Sequence, residues 1–397
     1  MNGHGSTSMP GAERDDLDLR LQAFIERGPE PVQAHGTGQC PDNAEFNAMA
    51  LELFAYQFER NIPYQRFCRA RGAQPGVVAK WQDIPAVPLT AFKELTLACA
   101  PAEDSAAVFM TSGSTDPSTR GRNHHPHLHL YDASAREGFA HYFLPDTRRM
   151  PLLVLNPGPT ENPSSSLAHF LGELVDAFGA TGSDHFMAGD TLDWKRLAAV
   201  LRDAEASGEP VALLGTSFAY VHLLDALERE GLFFSLPAGS RLLDTGGYKG
   251  RSREVGAEEL RSLFAQRLGI ADEWCVNYYG MTEISTQYYD STLREAWLGR
   301  EPGQRRKAVP AWSRIRVIDP QTGRDAERGS HGLIVHYDLA NRGSCLAVLA
   351  EDIGYLVPPA TGGAGAQPDF VLLGRAEAAE ARGCSMALDE MFGANRG

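Results

Sequence analysis

The stretch Val211-Ala-Leu-Leu-Gly-Thr-Ser-Phe-Ala-Tyr-Val-His-Leu-Leu-Asp-Ala-Leu-Glu-Arg-Glu230 decides the fold class. Its first four residues are an apolar run before Gly-Thr-Ser and read as a strand. Residues 219–230 then carry apolar side chains at helical spacing. Working outward, the same rhythm recurs. Residues 152–156 form a strand ending in Pro-Gly-Pro, and 166–178 a helix. Residues 240–243 enter a Gly-Gly turn, 255–268 form a helix, and 274–277 form a strand that delivers Tyr-Gly. Upstream, 106–111 is a short strand running into a Ser/Gly/Thr loop. This alternation predicts βαβ units with parallel sheets, and ligands gathered at the carboxyl ends of strands.

The ends of the chain read differently. Residues 14–27 and 43–70 are predicted helices, the second carrying Phe46, Leu51, Phe54, Tyr56 and Phe58. Residues 84–90 are extended, because their prolines bias the preceding residues toward β. From about residue 310 short strands follow one another without helices: 314–319, 332–337, 347–349 and 370–373. They suggest a small antiparallel unit resembling a partial barrel. The expected organisation is a disordered tail over 1–15, an α/β core of two subdomains over 16–309, a β subdomain over 310–373, and a terminal segment over 374–397.

At 397 residues and 43% hydrophobic content, the chain exceeds the usual single-domain size, so two or three subdomains are expected. The formal charge of −14 is spread along the chain and argues against a nucleic-acid or anionic-membrane surface, which needs clustered Lys and Arg. It leaves nucleotide binding open, since that takes only a few placed donors. No run of about 18 apolar residues exists to span a membrane. The N-terminus has neither a basic start nor an apolar stretch, so it is not a secretory signal. The expectation is a cytoplasmic protein without membrane insertion. The six cysteines lie scattered without a C-x-x-C pair, as reduced thiols do.

Four short strings carry chemistry. In Phe109-Met-Thr-Ser-Gly-Ser-Thr-Asp-Pro-Ser-Thr-Arg-Gly-Arg122, the hydroxyls and amides of Ser112, Gly113, Ser114 and Thr115 can cradle phosphate. Arg120 or Arg122 supplies a cation. An ordinary polar turn is the competing reading, and the string is not a G-x-x-x-x-G-K-[ST] loop. In Asp244-Thr-Gly-Gly-Tyr-Lys-Gly-Arg251, two glycines after a strand allow close approach of a flat ligand such as adenine, or simply turn the chain. In Asn277-Tyr-Tyr-Gly-Met-Thr-Glu283, Tyr279 can stack on adenine, Thr282 can bond phosphate, and Glu283 can hold Mg²⁺, with Gly280 and Met281 between them. Asp352, in Glu351-Asp-Ile-Gly-Tyr355, is a natural acceptor for ribose hydroxyls, and Arg375 adds a second contact.

Taken in order, these strings resemble the acyl-adenylate-forming ligases, and within them the acyl-protein synthetases of the bacterial luminescence (LuxE) type. Phenylacetate-type CoA ligases are more distantly similar. The resemblance runs from about residue 84 to 390. Its more specific parts are Val87-Pro-Leu-Thr-Ala-Phe-Lys93, Ser165-Ser-Leu-Ala-His169, Asp244-Thr-Gly-Gly-Tyr-Lys-Gly-Arg251, Tyr279-Gly-Met-Thr-Glu283 and Gly374-Arg-Ala-Glu377 with its continuation to Cys384. It implies the N-terminal domain of an adenylate-forming ligase: two parallel-sheet βαβ subdomains plus a small β-barrel-like one, with ATP and Mg²⁺ as cofactors. The phosphate loop falls on Thr111 to Thr115, the adenine turn on Gly246, Gly247 and Tyr248, and the metal-associated carboxylate on Glu283. The ribose carboxylate falls on Asp352, followed by Arg375, and His169 lies beside the acyl pocket or is a satisfied core residue. Phe170, Phe218 and Tyr278 join the pocket candidates.

Two departures stand out. Asp116 occupies a position where many relatives have Gly, and no Lys follows, so an Arg must substitute in different geometry. The chain ends 13 residues after Cys384, where typical members continue into a mobile domain of roughly 100 residues that contributes a Lys. That domain is expected to be missing or vestigial.

An acyl-adenylate is a mixed anhydride, and a thiolate is its natural acceptor. The family resemblance places a transfer cysteine near the C-terminus, where Cys384 stands. A packed thiol at a turn is the plain alternative. Coenzyme A, or a carrier, reductase or transferase protein, is the alternative acceptor, which makes a CoA ligase the rival enzyme. A non-catalytic nucleotide-binding subunit is the rival from another class. The run Asn123-His-His-Pro-His-Leu-His129 places four histidines in six residues, and Pro126 suggests a strand flank rather than a metal site.

Overall fold

The computed structural model describes residues 15–30, 41–112, 120–246, 255–359 and 367–375. It opens with helices α1 (Asp16–Ile25), α2 (Pro41–Arg60) and α3 (Ile62–Ala70), then strand β1 (Val87–Pro88) and a single turn, α4 (Ala91–Glu94). Next come β2 (Ala107–Met110), β3 (Arg122–His125), α5 (His129–Tyr142), β4 (Leu152–Leu155) and α6 (Ser166–Phe178). Three two-residue strands follow: β5 (Asp184–His185), β6 (Met187–Ala188) and β7 (Thr191–Leu192). The βα rhythm resumes with α7 (Trp194–Ser207), β8 (Ala212–Thr216), α8 (Ser217–Arg229), β9 (Arg241–Thr245) and α9 (Ala257–Leu268). After β10 (Cys275–Tyr279) come β11 (Tyr288–Tyr289) and α10 (Thr292–Trp297). The chain then forms β12 (Ser313–Ile318), β13 (Gly332–Asp338), β14 (Ala347–Val357) and β15 (Asp369–Arg375).

The βα units build one six-stranded sheet, ordered β11-β10-β9-β8-β4-β5 and parallel except at β11. Its strands read as continuous apolar runs because both faces are covered. Alternate residues leave opposite sides of each strand. Leu153, Leu155, Leu213 and Leu242 therefore join a core with α7, α8 and α9. Leu152, Val154, Leu214 and Leu243 join another with α5 and α6.

A second, mixed sheet runs β1-β14-β13-β12, with β15 on the far half of β14. Two expectations need correction here. The β unit does not stand on residues 310–373 alone, because Val87 and Pro88 pair in parallel with Val348 and Leu349. Among the described residues no ladder joins β12 to β15 or β1, so this sheet does not close on itself there. Nor are there two parallel sheets among these residues: β2 turns back on β3 as an antiparallel pair. The predicted helix over 43–70 is also two helices. Asn61 caps α3, its side chain accepting from Tyr64 N at 3.2 Å, and Pro63 in the first turn sets the break.

Among the described residues no helix is long and apolar enough to cross a membrane.

Candidate active site

The sequence strings converge where the carboxyl end of β10 meets the β2–β3 pair and the β14–β15 pair. The chain leaves β10 at Tyr279 and turns back through residues 280–287 to β11. A turn after β13 fixes this excursion. Asp338 accepts from Ser285 N at 2.7 Å, Thr286 N at 2.9 Å and Thr286 Oγ1 at 2.7 Å. Asn341 Nδ2 donates to the Glu283 carbonyl at 2.8 Å, and Asn123 Nδ2 on β3 donates to the Thr282 carbonyl at 3.0 Å. Buried amides and carboxylates so engaged hold a backbone in one conformation.

Glu283 is the outcome of that scaffolding. Only 4% of the residue is exposed. Its Oε1 faces Gly121, where an added Cβ would stand 3.4 Å from that oxygen and 3.1 Å from Thr111 Cγ2, so a larger residue would crowd the carboxylate. Thr111 and Gly121 close the root of the phosphate-loop candidate by exchanging two hydrogen bonds, Thr111 N to Gly121 O and Gly121 N to Thr111 Oγ1, both 2.9 Å. Burial pushes the Glu283 carboxyl up to about 7, against the hydrogen bond from its own backbone N–H and the charges of Arg375 and Lys93. Among the described residues no side chain donates a hydrogen bond to it.

Lys93 was not singled out from the sequence as a site residue, although it ends one of the strings that carry the family resemblance. It is exposed on α4, next to Phe92, whose Cβ would be 3.6 Å from a Gly121 Cβ. Asp338, Asn341 and Asn123 also escaped the sequence reading. Their one local signal is the Asx turn Asp338-Leu-Ala-Asn341, in which Ala340 N donates to Asp338 Oδ1 at 3.0 Å.

Asp352 and Arg375 meet by register, facing each other across β14 and β15. The Tyr279 hydroxyl donates to Asp352 Oδ2 at 2.8 Å. Burial raises the Asp352 carboxyl, while the Tyr279 bond and the Arg375 charge oppose the rise. The Tyr279 ring is 8% exposed, stacked on His336 at 5.6 Å and edge-on to Phe370 at 6.0 Å. Gly280 is exposed, and Met281 packs on the core with its sulfur 3.8 Å from the Tyr279 hydroxyl.

Gly246 follows β9 and is exposed, with nothing within 4 Å of an added Cβ. Beneath it Asp244 accepts from Ser217 Oγ at 2.8 Å and from Asn277 Nδ2 at 3.1 Å. Burial pushes Asp244 up to about 6. Lys307 reaches the Asn277 carbonyl at 2.8 Å and Asp290 at 3.0 Å.

His169 sits one turn into α6, whose cap Ser165 accepts from Ala168 N at 3.1 Å. Its Nε2 lies 2.7 Å from Asp132 Oδ1 on α5. Phe170 packs against Tyr278 at 5.1 Å, and Phe218 edge-on against His222 at 4.5 Å. Ser112 is exposed and Arg120 half-buried at the loop's two ends; Arg122 pairs with Met110. Gly113, Ser114, Thr115, Gly247, Tyr248 and Cys384, and the 1–14 tail, lie outside the described residues. The described cysteines are buried: Cys68, Cys99 and Cys275 are pushed up to about 12, and Cys345 well above the ordinary thiol range, all by burial.

The chain as a whole is similar to known proteins. Residues 40–393 match the family described as acyl-protein synthetase, LuxE. The chain belongs to that family. As a LuxE-type protein it is an acid–thiol ligase of the acyl-protein synthetase type, an enzyme of acyl activation. A relative from Aliivibrio fischeri, the long-chain-fatty-acid–luciferin-component ligase, is 20% identical over 312 residues, 77% of this chain and 78% of that one. The fold is similar to 2-hydroxyisobutyryl-CoA ligase. Its open conformation, in complex with 2-HIB-AMP and CoA, matches with TM-score 0.63 and 15% identity over 87% of this chain and 74% of that one. Its postadenylation state with R3-HIB-AMP matches with TM-score 0.62 and 15% identity, over 87% and 72%.

Proposed function

We propose that this LuxE-family ligase adenylates its acid at the cleft around Glu283 and passes the acyl group to a thiol. A carboxylate oxygen of the acid attacks the α-phosphorus of ATP. The bond from that phosphorus to the bridging oxygen breaks, and pyrophosphate leaves with the electron pair. Positioning and charge stabilisation carry such a displacement. Asp352 takes the ribose hydroxyls, Arg375 adds a cation beside it, and Thr111, Ser112 and Thr282 line the phosphates. Tyr279 serves by holding Asp352, since its ring is already packed. Lys93 and Arg120 stand by the loop root and oppose the charge of the departing pyrophosphate.

The observation that carries this reading is Glu283: a buried carboxylate, raised to about 7, facing the loop root with no side-chain donor among the described residues. Such a group awaits a cation. One carboxylate together with substrate phosphates is a fitting oxygen donor set for Mg²⁺, which would neutralise triphosphate charge there. For the acceptor, the burial of Cys68, Cys99, Cys275 and Cys345 sets them aside and leaves Cys40 and Cys384, both outside the described residues; the family resemblance favours Cys384, near the C-terminus. The name of the Aliivibrio fischeri relative makes a long-chain fatty acid the first acid to try, and a partner protein a further acceptor.

The test is ATP–pyrophosphate exchange against fatty, aryl and amino acids. Exchange dependent on one class of acid, and lowered about 10²- to 10³-fold in Glu283→Ala, is expected. Measurable ATP binding without exchange for any acid would instead fit a nucleotide-binding subunit. A labelled acyl group that stays on denatured wild type and is absent from Cys384→Ala would identify the acceptor; label transferred only to coenzyme A would favour a CoA ligase.

A further inference from the structure

Asp132 went unnoticed in the sequence, yet it forms one half of a pair with His169 at 2.7 Å. The two side chains are 15% and 23% exposed, so solvent reaches them. The imidazole also packs against two rings, tilted on Phe109 and in a T-shaped contact with Tyr131, with centroids 5.4 Å away in both cases. Phe109 pairs with Asn123 across β2 and β3, and Asn123 bonds the Thr282 carbonyl. One strand pair therefore separates the His169 ring from the Thr282–Glu283 turn. Met110, beside Phe109, donates its N–H to the Ser164 carbonyl at 2.8 Å, which fastens the start of α6 to the root of the phosphate loop.

The pair is not needed to dock α5 on α6. Tyr131 already bonds the Ser166 carbonyl at 3.2 Å, and Arg136 bonds Glu173 at 2.5 Å. The other histidine against this cluster, His125, is buried and held neutral, its ring pushed down to about 3 by burial. With Nε2–H donated to the Asp132 carboxylate, the His169 proton acceptor is Nδ1, and no hydrogen bond engages Nδ1 among the described residues.

We propose that His169 is the general base for the second half-reaction, with Asp132 as its positioning residue. This rests on the adenylation reading above. The acceptor thiol gives its proton to His169 Nδ1, and the thiolate sulfur attacks the acyl carbonyl of the adenylate. A C–S bond forms, the C–O bond to phosphate breaks, and AMP leaves with the electron pair. The imidazolium then returns its proton to water. The orienting carboxylate and the imidazole follow the logic of other activated nucleophiles.

The test uses the full chain, the acid active in pyrophosphate exchange, and N-acetylcysteamine as the thiol probe. Wild type, His169→Ala, Asp132→Asn and Asp132→Glu are compared in exchange and in single-turnover thioester formation. Loss of a general base costs about 10²- to 10⁴-fold. Thioester formation should thus fall in His169→Ala at least tenfold more than exchange does, with a smaller excess loss in Asp132→Asn and recovery in Asp132→Glu. A thiol already ionised at neutral pH, 5-thio-2-nitrobenzoate, should narrow the gap between variants and wild type, which a packing role would not do. Equal losses in exchange and transfer, or transfer unaffected, would overturn the proposal. Exchange absent from wild type with every acid would instead overturn the adenylation reading.

Discussion

Glu283 and Asp244 stand at the ends of neighbouring segments of the same fold, and burial raises both carboxyls, to about 7 and about 6. Their surroundings differ. Asp244 is enclosed by donors: Ser217 and Asn277 bond it, and the Lys307 charge acts on it. Glu283 has opposing charges at a distance and no side-chain donor among the described residues. Asp244 is thus part of the floor beneath the Gly246 turn, while Glu283 is the group we propose for a cation. A raised carboxyl alone does not mark a site; one that no described side chain engages, at the root of a phosphate-loop candidate, is the better candidate.

Disrupting the floor should give the largest effect. Lys307 is buried and carries a depressed ammonium because of burial, offset by Asp290. Lys307→Met should destabilise the fold by about 3 kcal/mol, at the lower end for a broken buried pair because Arg305 still contacts Asp290 at 3.0 Å. Denaturant unfolding checks this, and ATP affinity of the folded fraction should hold.

Glu283 makes the opposite prediction. Its folded carboxyl titrates at about 7, above the usual 4.5, so the charged form is disfavoured by folding. The contribution of Glu283 to wild-type stability should therefore decline as pH rises from about 4.5 to 7, with its full penalty present above 7. Glu283→Gln lacks that penalty. Without ligand, its stability relative to wild type should rise by roughly 2–3 kcal/mol between pH 4 and pH 8, read by thermal melts across pH.

Smaller effects belong to the ribose side. Asp352→Ala should raise the KM for ATP roughly 10- to 100-fold, the range for losing hydrogen bonds to a charged acceptor. Tyr279→Phe should raise it less, by about fivefold, since only the bond that orients Asp352 is lost. A Tyr279→Phe effect equal to that of Asp352→Ala would mean that the hydroxyl does more than orient Asp352.

Much of the parallel sheet was legible because its strands are apolar on both faces and their helices carry start signals. Helix α6 was read at its observed bounds, with Ser165 as a side-chain cap. Helix α5 was missed: Leu128 precedes it without a side-chain cap, and its first turn lies in the histidine run. The two-residue strands β5, β6, β7 and β11 carry too little periodicity to register. Strand β1 joins partners some 260 positions away, which no local pattern encodes. The site divides in the same way. Glu283, Asp352, Tyr279 and Thr111 sit inside short strings and could be read. Asp338, Asn341, Lys93 and Asp132 act across the fold, and only packing brings them in.

The most direct test of the comparison measures acid-dependent ATP–pyrophosphate exchange, per folded molecule, in Glu283→Gln and Asp244→Asn side by side. The account predicts exchange lowered about 10²-fold or more in Glu283→Gln, the cost of losing one preorganised electrostatic group, and within about threefold of wild type in Asp244→Asn. Exchange retained in Glu283→Gln, or lost equally in both, would contradict it.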